Sequence, residues 1–183
     1  MAKVIVLTAP SGAGKTTLKN YLLKRTTNLY YSISTTSRKP RFNERNGIDY
    51  YFISKEDFEC LINQNAFIEY AEVFNNYYGT QWNQVEHAKE HSKNLLLDLD
   101  IAGARAIKEA IPEAILIFIM PPSVEELERR LKSRATDSEE VIQRRLSRAQ
   151  LEMEQADWFD YIIMNDNLVS ARNQLKKIID SLD

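Results

Sequence analysis

The feature that most constrains the fold is a short apolar segment followed directly by a glycine-containing loop and a helix-like segment. Residues 4–7, Val-Ile-Val-Leu, have no polar alternation, which is typical of a strand covered on both faces in a parallel sheet. The loop Ala9-Pro-Ser-Gly-Ala-Gly-Lys-Thr16 follows, and residues 15–25 then carry apolar side chains at helical spacing without a breaker. A strand, a tight loop and a helix in this order predict the first unit of an α/β fold.

The same alternation of strand and helix patterns returns along the chain. Apolar segments at 95–97, 115–119 and 161–164 precede helix-like segments at 101–110, from Ser123 and from about Ser170. Ser123 and Glu126 have the spacing of a capping box, in which a hydroxyl and a carboxylate bind amides of the first helical turn. Repeated alternation predicts a parallel sheet with right-handed crossovers.

Two stretches interrupt this rhythm. Residues 34–83 hold aromatic strand-like pieces around one helix-like piece that opens at Ser54, and we interpret them as an inserted lobe. Residues 129–148 carry seven Lys or Arg residues and three acids. Several of these cations are expected to pair with Glu139, Glu140 or Glu152 on a helix surface.

The loop at 9–16 fits the phosphate-loop pattern G-x-x-x-x-G-K-S/T at every defined position except the first, where Ala9 replaces glycine. Gly12 and Gly14 allow consecutive amide N–H groups to point at phosphate oxygens at a helix N-terminus. Lys15 adds a cation for the outer phosphates, and the Thr16 hydroxyl is a ligand for Mg²⁺. The alternative is a tight strand-to-helix turn with a surface lysine.

Two further polar groups are candidates for binding. Asp98 and Asp100 end a predicted buried strand, at the sheet edge where α/β folds bind ligands, and are placed to hold Mg²⁺ or to cap the next helix. Residues 38–45 contain four cations, Arg38, Lys39, Arg41 and Arg45, against one acid. Guanidinium groups bind phosphate bidentately, although a basic loop of this kind is also common as a solvated surface.

The composition limits the partners and the cellular compartment that can be expected. The chain has 183 residues, 24 basic and 26 acidic, and a net charge of −2, which gives no reason to expect nucleic acid or a membrane as partner. The single cysteine, Cys60, excludes an internal disulfide framework and fits a reducing compartment. No apolar run is long enough to span a bilayer and no secretory signal is recognised, so we expect a cytoplasmic protein.

A string of motifs extends these signals over nearly the whole chain. In order, they are Pro10-Ser-Gly-Ala-Gly-Lys15, Ser32-Ile-Ser-Thr-Thr-Ser-Arg-Lys-Pro-Arg41, Gly47-Ile-Asp-Tyr-Tyr-Phe52, Phe67-Ile-Glu69, Asn76-Tyr-Tyr-Gly-Thr80, Leu97-Asp-Leu-Asp100, Pro121-Pro-Ser-Val-Glu-Glu-Leu127, Arg134-Ala-Thr136, Arg145-Leu146 and Asn165-Asp166. In order and spacing this string resembles the guanylate kinase family. It departs from the family pattern at Ala9, Ala102 and Ala135.

The resemblance implies a P-loop, three-layer α/β core with a parallel sheet, an inserted GMP-binding lobe and a lid. In this chain the core would be residues 1–33, 84–125 and 147–183, the lobe 34–83 and the lid 126–146, all in one domain. The implied activity is Mg²⁺-dependent transfer of the γ-phosphoryl group of ATP to GMP, with dGMP as a further acceptor. The implied assembly is a monomer or a homodimer.

The resemblance also implies roles for particular residues. ATP would be bound by Ala9, Pro10, Ser11, Gly12, Ala13, Gly14, Lys15, Thr16, Thr17 and Asn165, and Mg²⁺ by Thr16, Asp98 and Asp100. GMP would be bound by Ser34, Arg38, Arg41, Tyr50, Glu69, Tyr78, Thr80 and Asp100. The catalytic cations would be Lys15, Arg38, Arg130, Arg134 and Arg145.

The chemistry of guanine supports this assignment independently. A carboxylate such as Glu69 accepts from the adjacent N1–H and N2–H donors of guanine, a pair that adenine lacks, while hydroxyls at Ser34 and Thr80 are suited to donate to O6. Glu69 could instead be an outward residue of a strand, and the tyrosines could be lobe core. Two other functions stay open from sequence alone: a non-catalytic guanylate-kinase-like binding module, and a related phosphate-loop kinase with another acceptor.

Overall fold

The structure is a computed structural model, and it describes residues 2–133 and 138–182. In chain order these residues form β1 (Val4–Thr8), α1 (Lys15–Arg25), β2 (Leu29–Tyr31), β3 (Thr35–Thr36), β4 (Tyr51–Phe52), α2 (Lys55–Asn63), β5 (Phe67–Val73), β6 (Asn76–Gln81), α3 (Asn83–Glu90), β7 (Asn94–Asp98), α4 (Ile101–Ala110), β8 (Ile115–Met120), α5 (Val124–Ser133), α6 (Glu139–Glu154), a short 3₁₀ helix (Ala156–Trp158), β9 (Tyr161–Met164) and α7 (Leu168–Asp180).

The central sheet is parallel, as the alternating pattern predicts, and its strand order is β2-β7-β1-β8-β9. Strand β8 pairs in parallel with both β1 and β9, and β2 pairs in parallel with β7. All five residues of β1 are buried, as are the four central residues of β8. The absence of polar alternation in these strands therefore has a direct physical cause, since both faces are covered.

A second sheet has the strand order β4-β3-β6-β5. Strand β6 pairs antiparallel with β3 and β5, whereas β3 pairs in parallel with β4. Phe58 of α2 is fully buried and stacks on the rings of Phe67 and Tyr77, at centroid distances of 4.3 and 5.2 Å. Aromatic stacking between a helix and a hairpin thus forms the core of this smaller sheet.

Helix boundaries follow from local capping. Helices α1 and α4 have the predicted bounds, but α7 begins at Leu168, two residues before the predicted start at Ser170. The reason is Asn167, whose Oδ1 accepts hydrogen bonds from the N–H groups of Val169 and Ser170, both at 3.0 Å. Ser123 caps α5 as predicted, accepting from the Glu126 N–H at 3.2 Å, whereas the Glu126 carboxylate binds arginines of its own helix.

The chain divides into two compact units. The first unit contains Asn28–Leu97, Ala102–Ala114 and the residues up to Val4, and the second contains Ile5–Thr27, Asp98–Ile101 and the residues from Ile115 onward. The second sheet therefore belongs to the first unit, and the phosphate-loop sequence belongs to the second. Within the described part of the chain, no helix has the combination of length and apolar character needed to cross a lipid bilayer.

Candidate functional site

The loop between β1 and α1 in the second unit has the backbone that a phosphate site needs. Gly12 and Gly14 have φ values of 91° and 97°, in the left-handed region that favours glycine, and Gly14 immediately precedes α1. A Cβ at Gly12 would lie 3.0 Å from Leu127 Cδ1, so a larger residue would be strained by the positive φ and would press on the Leu127 side chain. These two glycines allow the loop to turn tightly into the N-terminus of α1.

Asn165 holds this loop from the far end of β9. Its side chain is buried, and its Nδ2 donates to the Ala13 carbonyl at 2.7 Å, while its own backbone N–H donates to the Met120 carbonyl at 2.7 Å. A Cβ on Gly14 would collide with this same Nδ2. Asn165, predicted to bind ATP, therefore contacts the backbone of the loop directly.

A cavity of about 460 Å³ adjoins the loop. It brings together most of the residues predicted for ATP, together with Asp100 and Arg145. Its lining consists of Ala9, Pro10, Ser11, Gly12, Gly14, Lys15, Thr16, Thr17, Asp100, Arg145, Arg148 and Glu152. Among the described residues of the second unit, the predicted Ala13, Asp98, Arg130 and Asn165 are not part of this lining. Loop amides, hydroxyls and cations on one cavity make it suitable for a polyphosphate.

Asp98 forms ion pairs with two lysines of α1. Lys15 Nζ lies 2.5 Å from Asp98 Oδ1 and also donates to the Leu99 carbonyl at 3.0 Å, while Lys19 Nζ lies 2.8 Å from Asp98 Oδ2. Burial alone would raise the pKa of Asp98, but the two ammonium groups outweigh it and lower the pKa below its ordinary value. Asp98 is therefore an anion that orients Lys15.

Asp100 is more exposed and pairs with α6. Arg148 Nη2 lies 3.2 Å from Asp100 Oδ2, and Arg148 Nε lies 2.8 Å from Glu152 Oε1. The pairing of Arg148 with Glu152, like those of Lys132 with Glu139 and Arg144 with Glu140, confirms the expected surface pairing of cations in this region. Arg148 additionally reaches the cavity.

The other predicted cations of the second unit differ in their surroundings. Arg145 is half-buried and lines the cavity. Arg130 Nε pairs with Glu126 at 2.8 Å, and its Nη2 donates to the Asn165 carbonyl at 2.9 Å. Glu126 also binds Arg129, and these two guanidinium groups lower the pKa of the Glu126 carboxyl to about 2. Arg134 and Ala135 lie outside the described residues.

The donors around the cavity fit a magnesium ion that arrives with a nucleotide. Mg²⁺ typically keeps several waters and takes one or two protein oxygens besides the phosphates. Thr16 and Asp100 line the same cavity and supply a hydroxyl and a carboxylate, whereas both oxygens of Asp98 face lysines. Among residues 2–133 and 138–182, no cluster of three or more His, Cys, Asp or Glu side chains could hold a metal. This donor set suits a nucleotide-borne ion rather than a permanent metal centre.

In the first unit, Arg38 is held by side chains on several sides. Its Nη1 and Nη2 donate to the two carboxylate oxygens of Glu44 at 2.8 and 2.9 Å, and its Nε donates to Tyr78 Oη at 3.2 Å. The guanidinium also lies over the Tyr50 ring, 5.4 Å from its centroid. The hydrogen bond to Glu44 raises the pKa of Arg38, and in turn lowers the pKa of Glu44 to about 2.

The residues near this guanidinium differ in burial. They are Tyr50, Tyr78 and Arg41. The rings of Tyr50 and Tyr78 lie edge to face at a centroid distance of 6.1 Å, and burial raises the pKa of Tyr50. The side chain of Arg41 is exposed, and its backbone N–H donates to Glu44 at 2.7 Å. The bidentate geometry of Arg38 on Glu44 is the geometry in which a guanidinium binds phosphate.

The predicted base-reading residues lie on the second sheet. Thr80 is fully buried, and its Oγ1 donates to Glu69 Oε1 at 2.7 Å across the β5–β6 hairpin. While this bond holds, Thr80 orients the carboxylate, and of the two predicted hydroxyls Ser34 is the one left to donate to a guanine O6. Ser34 precedes β3, and its carbonyl accepts from the Tyr51 N–H at 2.9 Å.

Sequence reasoning missed three residues at these sites. Lys19 follows Lys15 by four positions, so helical periodicity alone places it on the same face of α1. Arg148 follows Arg145 by three positions, and the same argument applies. Glu44, the only acid among the cations of 38–45, is their counterion, which the local charge pattern suggests without identifying its partner.

Comparisons with known proteins give one consistent result. A family model described as guanylate kinase matches residues 1–182. The guanylate kinase of Neisseria meningitidis is 47% identical over 178 residues, covering 97% of this chain and 87% of the relative, and that of Trichormus variabilis is 52% identical over 169 residues, covering 92% and 85%. The crystal structure of guanylate kinase from Anaplasma phagocytophilum matches with a TM-score of 0.77 at 34% identity, covering 98% of this chain and 85% of that one.

Proposed function

The chain belongs to the guanylate kinase family and is an ATP:GMP phosphotransferase, and we propose that the phosphate-loop cavity binds ATP while the residues around Arg38 and Glu69 bind GMP. The reaction transfers the γ-phosphoryl group of ATP to GMP and yields ADP and GDP. The observation that carries the proposal is the cavity beside the phosphate loop, which Lys15, Thr16, Asp100 and Arg145 line together.

On the ATP side, the loop amides would bind the phosphates at the N-terminus of α1, where the helix dipole favours anions. Lys15 would leave Asp98 for the outer phosphates. Because Lys19 also pairs with Asp98, the carboxylate keeps one ammonium partner when Lys15 moves. This arrangement lowers the electrostatic cost of releasing Lys15, since a partly buried carboxylate is not left without a counter-charge.

A magnesium ion bound with ATP would be held from Thr16 and Asp100, with Asp98 as a predicted third ligand. When bound, Mg²⁺ neutralises charge on the β- and γ-phosphate oxygens. The proposal rests on the position of Thr16 and Asp100 on the cavity. Asp98 would have to give up a lysine to coordinate the ion directly.

On the GMP side, the phosphate would take the place of Glu44 on Arg38, with Tyr50, Tyr78 and Arg41 as further partners. A phosphate and a carboxylate offer the guanidinium a similar pair of oxygens, so the exchange preserves the bidentate geometry. The Tyr78 hydroxyl already accepts from Arg38 Nε at 3.2 Å, which places it next to the proposed phosphate position.

For guanine, Glu69 would accept from N1–H and N2–H, with Thr80 orienting the carboxylate, and Ser34 would donate to O6. Adenine offers no such pair of donors, so it would leave the half-buried Glu69 carboxylate with only its protein partners and without the two guanine hydrogen bonds. Selectivity for GMP over AMP follows from this pairing.

The transfer itself needs alignment and charge neutralisation more than a strong base. Arg130, Arg134 and Arg145 would supply positive charge from the lid, residues 126–146, and closure of this segment would exclude water as a competing acceptor. The core, lobe and lid divisions stay predictions, as do the cytoplasmic location, the monomeric or dimeric state and the use of dGMP.

A coupled assay of ADP release over a panel of nucleoside monophosphates tests the proposal. With ATP and Mg²⁺ at saturation, ADP release is expected with GMP, weakly with dGMP or IMP, and at background with AMP, dTMP or no acceptor. A faster reaction with AMP or dTMP than with GMP would overturn the assignment of the acceptor site. Failure of isothermal titration calorimetry to detect ATP binding would overturn the assignment of the cavity.

A further inference from the structure

The backbone around Ser34 is held by side chains rather than by sheet pairing alone. Strand β2 ends at Tyr31 and β3 begins at Thr35, so Ile33 and Ser34 lie in the segment that connects these two strands. The Ile33 N–H donates to Gln84 Oε1 at 3.0 Å, and Gln84 is 1% exposed. A buried amide side chain from α3 therefore fixes the residue immediately before Ser34.

The same side chain starts a chain of amide hydrogen bonds that returns to the other neighbour of Ser34. Gln84 Nε2 donates to Asn83 Oδ1 at 3.1 Å, and Asn83 Nδ2 donates to Gln81 Oε1 at 3.1 Å. Gln81 Nε2 then donates to Thr35 Oγ1 at 2.9 Å. The three residues, Gln81, Asn83 and Gln84, are called the amide chain below.

The amide chain thus contacts both neighbours of Ser34. The Ser34 hydroxyl itself makes none of the hydrogen bonds of the amide chain. Thr35 is 1% exposed, so its hydroxyl has no access to bulk water as a substitute partner. Loss of Gln84 would release the Ile33 N–H and loss of Gln81 would release the Thr35 hydroxyl, whereas loss of Asn83 would free both glutamine side chains to turn away from these partners. A backbone that adjusts to new partners would move Ser34, whose carbonyl accepts from the Tyr51 N–H but whose hydroxyl takes no part in the amide chain.

We propose that Gln81, Asn83 and Gln84 are positioning residues that fix the Ser34 hydroxyl for guanine O6. The proposal rests on the proposed role of Ser34 in GMP binding. It gains force from Thr80, whose proton is directed at Glu69, so the O6 contact depends on the position of Ser34. Because hydrogen bonds weaken steeply with misalignment, a displaced hydroxyl loses much of its contribution to binding.

The chemistry of two acceptors separates this role from that of Glu69. GMP and IMP share O6 and N1–H, but only GMP carries the N2 amino group. A displaced Ser34 hydroxyl therefore weakens GMP and IMP equally, whereas a change at Glu69 alters the ratio between them. An unchanged ratio of the KM values for IMP and GMP therefore separates this role from that of Glu69, and an unchanged KM for ATP separates it from a general loss of stability.

The test measures steady-state kinetics of Asn83→Ala, Gln81→Met, Ser34→Ala and Glu69→Gln with GMP, IMP and ATP. Asn83 is exposed, so Asn83→Ala breaks two bonds of the amide chain without burying a new group. Gln64→Ala is the matched control, because Gln64 is an exposed glutamine of the same unit outside the amide chain. Thermal denaturation checks that each variant is folded, and Gln81→Met serves as an independent break in the chain.

We expect Asn83→Ala and Gln81→Met to raise KM for GMP and for IMP by the same factor, roughly three- to tenfold, with KM for ATP and kcat close to those of the parent. Glu69→Gln should change the ratio of the two KM values, and Gln64→Ala should change nothing. In the Ser34→Ala background, Asn83→Ala should add no further rise, because its effect acts through the missing hydroxyl.

The outcomes separate this inference from the function it rests on. If Ser34→Ala raises KM for GMP but Asn83→Ala and Gln81→Met do not, the inference is overturned and the proposed function stands. If the amide-chain variants raise KM equally with and without Ser34, they act through another group, and the inference is overturned as well. If Ser34→Ala leaves KM for GMP unchanged, the proposed role of Ser34 and the inference both fall.

Discussion

The two units of the molecule prepare for anionic ligands by different means. In the second unit the phosphate loop is shaped by main-chain conformation: two glycines in the left-handed region and a buried asparagine that binds the loop carbonyl. In the first unit the cluster around Arg38 is shaped by side chains, through a carboxylate, a phenol and an aromatic face. Backbone geometry is common to any phosphate, whereas a side-chain cluster can be specific for one ligand.

Both units also hold their main cation on a carboxylate, but with different counter-charges. Asp98 pairs with Lys15 and Lys19, whereas the two oxygens of Glu44 pair with Arg38 and one of them also accepts from the Arg41 N–H. Release of Lys15 leaves Asp98 with an ammonium partner, while release of Arg38 leaves Glu44 with a neutral one. The proposed ATP site can therefore release its cation at low electrostatic cost, and the proposed GMP site can exchange one anion for another.

The largest effect is expected from Lys15→Met, which removes the mobile cation of the ATP side. Turnover should fall by about a hundredfold to a thousandfold, as is typical when one group that stabilises transferring charge is removed. The fold should persist, because Asp98 keeps Lys19 and no core volume is lost. ADP release with GMP measures the loss, and thermal denaturation measures the fold.

The matched control for this prediction is Lys176→Met, which breaks an exposed pair with Asp180 on α7. It should leave turnover unchanged. If Lys15→Met retained more than a tenth of the parent turnover, the proposal that Lys15 moves to the phosphates of ATP would be wrong. The two units would then differ only in how far their sites are shaped by the backbone.

A smaller effect is expected from Arg38→Lys, which keeps the charge on the GMP side but removes the planar pair of donors. KM for GMP should rise roughly ten- to a hundredfold, the range for charged hydrogen bonds, while KM for ATP stays near its parent value. Arg45→Lys is the control, since Arg45 is an exposed cation of the same stretch. Equal effects of the two substitutions would show that net charge, and not bidentate geometry, binds the acceptor phosphate.

The same contrast explains what could be predicted from the sequence. Strand β1, the phosphate loop and α1 are encoded within about twenty consecutive residues, and apolar runs, glycines and helical spacing suffice to predict them. The parallel sheet follows from the repetition of that pattern. Local signals also fix most helix bounds, because caps such as Ser54 and Ser123 lie beside the helices they start.

The remaining features depend on contacts between distant residues. Lys15 and Asp98 are 83 positions apart, and the bond from Gln84 to Ile33 spans 51. The sequence does not predict strands β2 and β6. Strand β2 has only three residues, and β6 contains a glycine and polar side chains. Both strands are therefore defined by the strands with which they pair and not by their own residue patterns. The partner of Arg38 lies only six positions away, but helix or strand periodicity does not apply in that loop.

The smallest effect tests how Glu44 is held when no ligand is bound. Its folded-state pKa of about 2 lies below the ordinary 4.5, so the stability gained from its contacts is fully present above pH 4.5 and is lost as pH falls toward 2. Glu44→Gln should therefore have a lower free energy of unfolding than the parent at pH 7, and the difference between the two proteins should shrink between pH 4.5 and 3.

Urea unfolding at a series of pH values measures this difference in free energy. Glu72→Gln is the control, because Glu72 is an exposed glutamate on β5. A difference that stayed constant down to pH 3 would mean that Glu44 does not carry the charge that orients Arg38, and the first unit would then bind its anion without prior ion pairing.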